Sequence, residues 1–308
     1  MIRLKKLSVR AFSGLYDRSS FLAVNESSPF LGWHERISRC SGVPDTYLVE
    51  YVFDHKKTWL SFLVTGTGDT VCYAHPGSIP RETLDNISRG TVLKLWLQLH
   101  KKYCLHASGI QTGGSAILFL GPKGAGKSTT AAYFNANGYP VWCDDYCTLE
   151  QSRDTFYALP GETWLKVKKE TITGLSITSG HTAPLYLPVP AIEARTAPVS
   201  DFKTLYRSAA PQGERQPLPL KAVFLLQERG KDAPGTVIPA RKTEALKAIM
   251  DEIMLRPVVS KEYIAFYFVQ TKQLLDRVQV YKARAADDLA QIHVFFESIL
   301  THVTDADN

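Results

Sequence analysis

One octapeptide constrains this chain more than any other feature: Gly121-Pro122-Lys123-Gly124-Ala125-Gly126-Lys127-Ser128, followed by Thr129. It fits the pattern G-x-x-x-x-G-K-[ST]. The preceding run, Ser115-Ala116-Ile117-Leu118-Phe119-Leu120, predicts a buried strand, and a helix is expected after the loop to about Asn137. Strand, glycine loop and helix in that order build a phosphate cradle. Glycines let successive backbone N–H groups curl around phosphate oxygens, and the helix N-terminus adds a favourable dipole. Lys127 supplies a mobile positive charge for the outer phosphates. The Ser128 hydroxyl is a hard oxygen donor of the kind Mg²⁺ prefers. Residues Gly121 to Thr129 are therefore the expected nucleotide-binding segment, with ATP as co-substrate and Mg²⁺ as the accompanying ion. Glycines alone would equally suit a turn that binds nothing; Gly126-Lys127-Ser128 between a strand and a helix argues against that.

A second strand, Tyr139-Pro140-Val141-Trp142-Cys143, ends in Asp144-Asp145, 17 residues beyond Lys127. Ligands of open α/β sheets sit at the carboxyl ends of strands, so both carboxylates fall near the phosphates if the two strands are neighbours. One carboxylate would hold the metal and the other would accept a proton from an attacking hydroxyl. Two adjacent anions repel, which favours a cation shared with Ser128. An isolated Asp-Asp would read as a cap or a solvated turn. At this distance from a phosphate loop it reads as a phosphoryl-transfer pair.

The rest of the 308 residues organise around this centre. Residues 1–100 read as a β-rich N-terminal domain ending in a helix, with strands at 46–53, 58–64 and 70–73 and a hairpin turn at Asp54–Lys57. The helix is expected from Pro80 to about Tyr103, with Gly90 interrupting it. Residues 101–308 read as the nucleotide-binding domain. It has a buried strand at Lys221–Leu226, helices at 242–255, 260–275 and 286–302, and a strand at Arg277–Tyr281. The stretch 176–220 is rich in Pro, Ser, Thr and Gly and is expected to be a long connection. Trp33, Tyr47, Tyr51 and Trp59 either line an acceptor groove or pack a β core, and their strand periodicity favours the core.

Lys and Arg exceed Asp and Glu, 36 against 30, for a net charge of +6. That suits a protein handling anions, though such a charge also serves solubility alone. No Lys/Arg block interleaved with aromatics marks a nucleic-acid surface, so no nucleic-acid partner is expected. No apolar run approaches the roughly 18 residues of a membrane-spanning helix, so no membrane partner is expected either. Five cysteines at irregular spacing (Cys40, Cys72, Cys104, Cys143, Cys147) predict reduced thiols and a cytoplasmic location. Cys143 and Cys147 alone make half a metal site with no second pair to complete it.

The stretches Leu105-His106-Ala107-Ser108-Gly109, Ala116 to Thr130, and Gly138 to Asp145 together resemble the HPr kinase/phosphorylase superfamily, which is related to phosphoenolpyruvate carboxykinases. They are most similar to the kinases that tailor lasso-peptide precursors on their C-terminal Ser. Weaker echoes occur at Leu159–Lys166, Asp201-Phe202-Lys203 and Pro217–Leu226, so the likeness covers about residues 105–230. The glutamate- and arginine-containing loop of true HPr kinases finds only a faint echo at Ile192–Arg195.

The resemblance implies an α/β P-loop kinase domain with a mixed sheet, preceded by a smaller β-rich segment. Asp144 would be the general base on a Ser hydroxyl, and Asp145 would join Ser128 at Mg²⁺. Lys127 would hold the β- and γ-phosphates, His106 would sit near the reacting phosphate, and Lys203 would contact phosphate or acceptor. The partner would be a peptide or protein acceptor bearing Ser, and a homo-oligomer is compatible with this reading. Three alternatives stay open on the residues alone: an HPr(Ser) or free-serine kinase, a small-molecule P-loop kinase of the shikimate or gluconate type, and a nucleotide-binding regulatory protein.

Overall fold

The computed structural model describes residues 2–26, 33–53, 57–75, 77, 79, 81–175, 181–184, 203–207, 215–229, 235–255, 258, 260–285 and 288–304. Most of the 176–220 stretch, including Ile192–Arg195 and Asp201-Phe202, and the hairpin positions 54–56 lie outside the described residues. The fold is α/β with mixed sheets, and the chain divides into two compact units.

The first unit holds residues up to Lys102 together with Leu255–Ile264. Its strands are β1 (Arg3–Leu7), β2 (Phe21–Glu26), β3 (Trp33–Cys40), β4 (Thr46–Phe53), β5 (Lys57–Thr65) and β6 (Thr70–Ala74). They form one sheet in the order β1-β6-β5-β4-β3-β2, in which only β1 runs parallel to its neighbour. Side chains alternate across a strand, so β4 splits its residues between two cores. Tyr47, Val49 and Tyr51 face a cluster with Leu60, Phe62 and Val64. Leu48 faces the opposite side with Phe12 and Ala74. Phe12 belongs to the short helix α1 (Val9–Ser13).

The single long helix expected over 80–103 is instead two helices, α2 (Arg81–Ile87) and α3 (Leu93–Leu99), joined by a π-helical turn at Ser88–Val92. Gly90 breaks it with φ −77° and ψ −124°, outside helical space. Leu84, Ile87, Val92 and Leu95 still cover the sheet on one face. Tyr47 and Tyr51 are core residues of this unit, not groove-lining ones; the side chains of Trp33 and Trp59 lie outside the described residues.

The second unit contains the described residues from Tyr103 to Met254 and from Ala265 to Thr304. It runs β7 (Tyr103–Leu105), β8 (Ala107–Thr112), β9 (Ser115–Leu120), α4 (Lys127–Ala136), β10 (Val141–Cys143), β11 (Cys147–Ser152) and β12 (Thr155–Ala158). There follow β13 (Leu165–Lys168), α5 (Lys169–Gly174), β14 (His181–Pro184), β15 (Lys203–Arg207), β16 (Leu218–Leu226) and β17 (Thr236–Pro239). It ends with α6 (Lys242–Asp251), α7 (Lys261–Arg277) from Ala265 onward, β18 (Gln279–Arg284) and α8 (Ile292–Thr304). Tyr103 thus opens a strand where the sequence pattern extends a helix. The last helix starts at Ile292, not 286, behind a 3-10 turn at Leu289–Gln291.

The main sheet has the order β10-β8-β9-β16-β12-β11-β7, with β18 added beside β16 and β17 beside β18. β9, β16 and β18 are parallel at its centre. β8 and β10 attach antiparallel on one side. β13, β15 and β14 form a separate antiparallel sheet.

The apolar centre is an aromatic cluster of Phe119 (β9), Phe134 (α4), Phe224 (β16) and Phe296 (α8). Ring centroids lie 5.5 Å apart for Phe119–Phe134 and 4.6 Å for Phe134–Phe296. Burying each such ring stabilises by about 1.5–3 kcal/mol, which fixes α4 against β9 and so sets the angle of the loop between them.

Candidate active site

The phosphate loop leaves the end of β9. Gly121, Gly124 and Gly126 have φ of +144°, +95° and +99°, values that a side chain would make costly. Gly126 caps α4 and, having no side chain, offers the first turn no side-chain hydrogen bond, and a helix N-terminus of this kind favours an anion. The Nζ of Lys127 folds back onto the carbonyl oxygens of Gly121 (2.5 Å) and Pro122 (3.4 Å).

The sequence argument places the carboxylates near the phosphates on condition that the strand bearing Asp144 neighbours β9. That condition is not met: β8 lies between β9 and β10. The carboxylate arrives nonetheless. Asp144 Oδ1 accepts hydrogen bonds from Ser128 Oγ at 3.0 Å and from Ser108 Oγ, on the intervening β8, at 2.6 Å. Its Oδ2 accepts from the backbone N–H of Lys166 at 2.9 Å. Asp144 is 2% exposed, and these three donors offset the cost of burying a charged carboxylate.

Asp145 points elsewhere. Its φ of +68° is left-handed, a conformation that Asp adopts more readily than most residues. The turn sends its side chain to Lys166 Nζ at 3.2 Å and brings Oδ1 within 3.8 Å of His106 Nε2. Ser128 pairs with Asp144, whereas Asp145 pairs with Lys166 and faces His106.

His106 sits between β7 and β8 and contacts Glu252 Oε2 through Nδ1 at 3.2 Å. That hydrogen bond, helped by the charge of Lys127, holds the Glu252 carboxyl below its usual range, against the opposite pull of partial burial. Lys203 opens β15, and its side chain lies outside the described residues.

Behind the pair, Arg215 donates to the carbonyl oxygens of Gly161 (2.9 Å), Val141 (3.3 Å) and Trp142. Its guanidinium lies 4.2 Å above the Trp142 ring. Burial pulls its pKa down, but a guanidinium stays protonated. It locks the carbonyls of β10 immediately before Asp144.

Ser108, Lys166, Arg215 and Glu252 were not identified as site residues from the sequence. Ser108 and Lys166 lie inside the stretches that carry the resemblance. Arg215 and Glu252 have no local signal, since long-range folding alone brings them here. Among the described residues, no group of three or more His, Cys, Asp or Glu stands ready to hold a metal. Cys143 and Cys147 are buried free thiols, and burial pushes the Cys143 thiol well up.

Chemically, the donors near the loop are a hydroxyl and carboxylate oxygens. That set fits Mg²⁺, which commonly takes one or two carboxylates and completes its shell with substrate phosphates and water.

No family model matches the sequence, and no curated protein matches it. Among solved structures, the chain is similar to the HPr(Ser) kinase/phosphatase from Coxiella burnetii, with a TM-score of 0.31 and 11% identity over 67% of this chain and 99% of that one. An overlap of that size defines neither fold nor function.

Among the described residues, no helix is long and apolar enough to cross a membrane.

Proposed function

We propose that this protein is an ATP-dependent kinase that transfers the γ-phosphoryl group to a serine hydroxyl, with the C-terminal Ser of a lasso-type precursor peptide as the leading acceptor. The observation that carries the reading is the hydrogen bond from Ser128 to Asp144, which joins the phosphate loop to a carboxylate. The acceptor class rests on the resemblance of residues 105–145 alone.

The contacts favour exchanging the two carboxylate roles. Asp144, saturated by three donors and bonded to Ser128, belongs with Ser128 on the Mg²⁺ side. When bound, Mg²⁺ would offset the phosphate charge. Asp145, beside His106 and Lys166, is the more accessible base. In the transfer, the serine oxygen bonds to the γ-phosphorus, the bond from that phosphorus to the β–γ bridging oxygen breaks, and ADP leaves. Asp145 takes the hydroxyl proton. Lys127 and the loop N–H groups hold the phosphates, so positioning and electrostatics supply most of the acceleration.

The test is labelled-ATP transfer to three acceptors in parallel: a peptide ending in Ser, HPr protein and free serine. Label on the peptide alone supports the full reading. Label on HPr or serine replaces the acceptor and keeps the kinase. ATP hydrolysis with no acceptor labelled rejects the serine kinase and leaves a small-molecule kinase or a nucleotide-dependent regulator.

A further inference from the structure

Beyond the carboxylate pair and the loop lysine, the site borders a cation that no motif marks. β16 runs parallel to β9 with Leu225 opposite Leu120, so both strands end at the same edge of the sheet. From there β9 enters the phosphate loop, and β16 continues into Gln227-Glu228-Arg229. The two segments touch. A Cβ placed on Gly121 would lie 2.6 Å from the Leu226 carbonyl oxygen. One placed on Gly126 would lie 2.8 Å from Nη2 of Arg229, with Nε at 3.6 Å and Cζ at 3.7 Å. The guanidinium thus rests against the residue that caps α4, beside the first turn of the helix.

The Nε of Arg229 is buried and, among the described residues, has no hydrogen-bond partner. A buried donor left without an acceptor is destabilising, more so on a charged group. The cost is offset when an anion supplies the acceptor. Guanidinium matches phosphate well, because its planar fork donates to two oxygens at once.

We propose that Arg229 is a phosphate-binding residue of this site, donating to phosphate oxygens of the nucleotide from the β16 side of the loop. This deepens the kinase reading and rests on it. It also gives Gly126 a second reason to be glycine, since a side chain there would meet the guanidinium as well as a left-handed backbone.

Titration calorimetry of the full chain with Mg–ATP and with inorganic pyrophosphate tests the assignment in wild type, Arg229→Gln and Arg229→Lys, alongside melting curves without ligand. The glutamine variant is expected to bind both ligands about 10- to 100-fold more weakly, by a similar factor for each. The lysine variant should recover part of that loss. Unliganded Arg229→Gln should melt no lower than wild type, because the group it removes has no partner for its buried N–H. Wild-type affinity in Arg229→Gln overturns the proposal. So does a loss confined to ATP, a fall in melting temperature, or failure of the glutamine variant to fold. Wild-type protein that binds neither ligand overturns the phosphate-loop reading itself, and the role of Arg229 with it.

Discussion

Ser128 Oγ donates to Asp144 Oδ1 across 3.0 Å, although 16 residues separate them and β8 lies between β9, which leads into the loop before Ser128, and β10, which ends at Asp144. The intervening strand helps rather than hinders. Ser108 on β8 donates to the same oxygen, so the carboxylate is oriented from two sides before any ligand arrives. Preorganisation of this kind is what phosphoryl transfer demands, since the protein contributes mainly geometry and charge.

The two aspartates should separate cleanly on substitution. Asp145→Asn is expected to lower turnover about 10²- to 10⁴-fold with ATP affinity nearly unchanged, as loss of a general base does. Asp144→Asn should weaken Mg-dependent ATP binding as well as turnover. Single-turnover transfer and calorimetry on both variants read this directly. Wild-type turnover in Asp145→Asn with none in Asp144→Asn would restore the base role to Asp144.

Lys127→Ala removes a charge that donates to two loop carbonyls and helps hold the Glu252 carboxyl low. ATP affinity and transfer should both fall, while the melting temperature stays within a few degrees of wild type. Equal ATP affinity in the variant, measured by calorimetry, would contradict a phosphate-binding role for this ammonium.

The Glu252–His106 contact makes a pH prediction. The folded carboxyl titrates below its ordinary range, so its contribution is present above the unfolded pKa of roughly 4.3 and fades as pH falls through the lower folded value. Glu252→Gln should therefore be less stable than wild type at pH 5, by on the order of 1 kcal/mol. That difference should shrink on acidification toward pH 3. Urea unfolding of both proteins at pH 5, 4 and 3 checks it, and a gap that widens with acid would contradict the sign.

Gly161→Ala probes the wall behind Asp144. An added Cβ would lie 2.7 Å from Cys143 Cβ and 3.3 Å from Cys143 Cα, in the strand that Arg215 locks. Overpacking there should cost about 1–3 kcal/mol and displace Asp144. Lower melting temperature together with lower transfer is expected. Unchanged values for both would show that β10 shifts without consequence.

The phosphate loop was legible because its chemistry is local: glycines, a lysine and a hydroxyl within eight residues, between an apolar run and a helix. The same holds for the buried strand Ser115–Leu120, whose bounds the structure reproduces. Gly90 was legible as a break, but its consequence, a π-helical turn between two helices, was not. Helix ends depend on caps and on what the next residues pair with. Tyr103 illustrates this: it joins a strand because β11 offers it a partner at Leu149, a fact absent from its neighbours in sequence.

By itself, then, the sequence determined that a nucleotide-type loop exists here and that an acidic pair follows it, since both are written in contiguous residues. Tertiary structure decided which aspartate meets Ser128, because that depends on the strand inserted between β9 and β10 and on the left-handed backbone at Asp145. It also brought in Ser108, Lys166, Arg215, Arg229 and Glu252. Their roles come from through-space proximity between segments remote in the chain, a quantity that composition and periodicity do not encode.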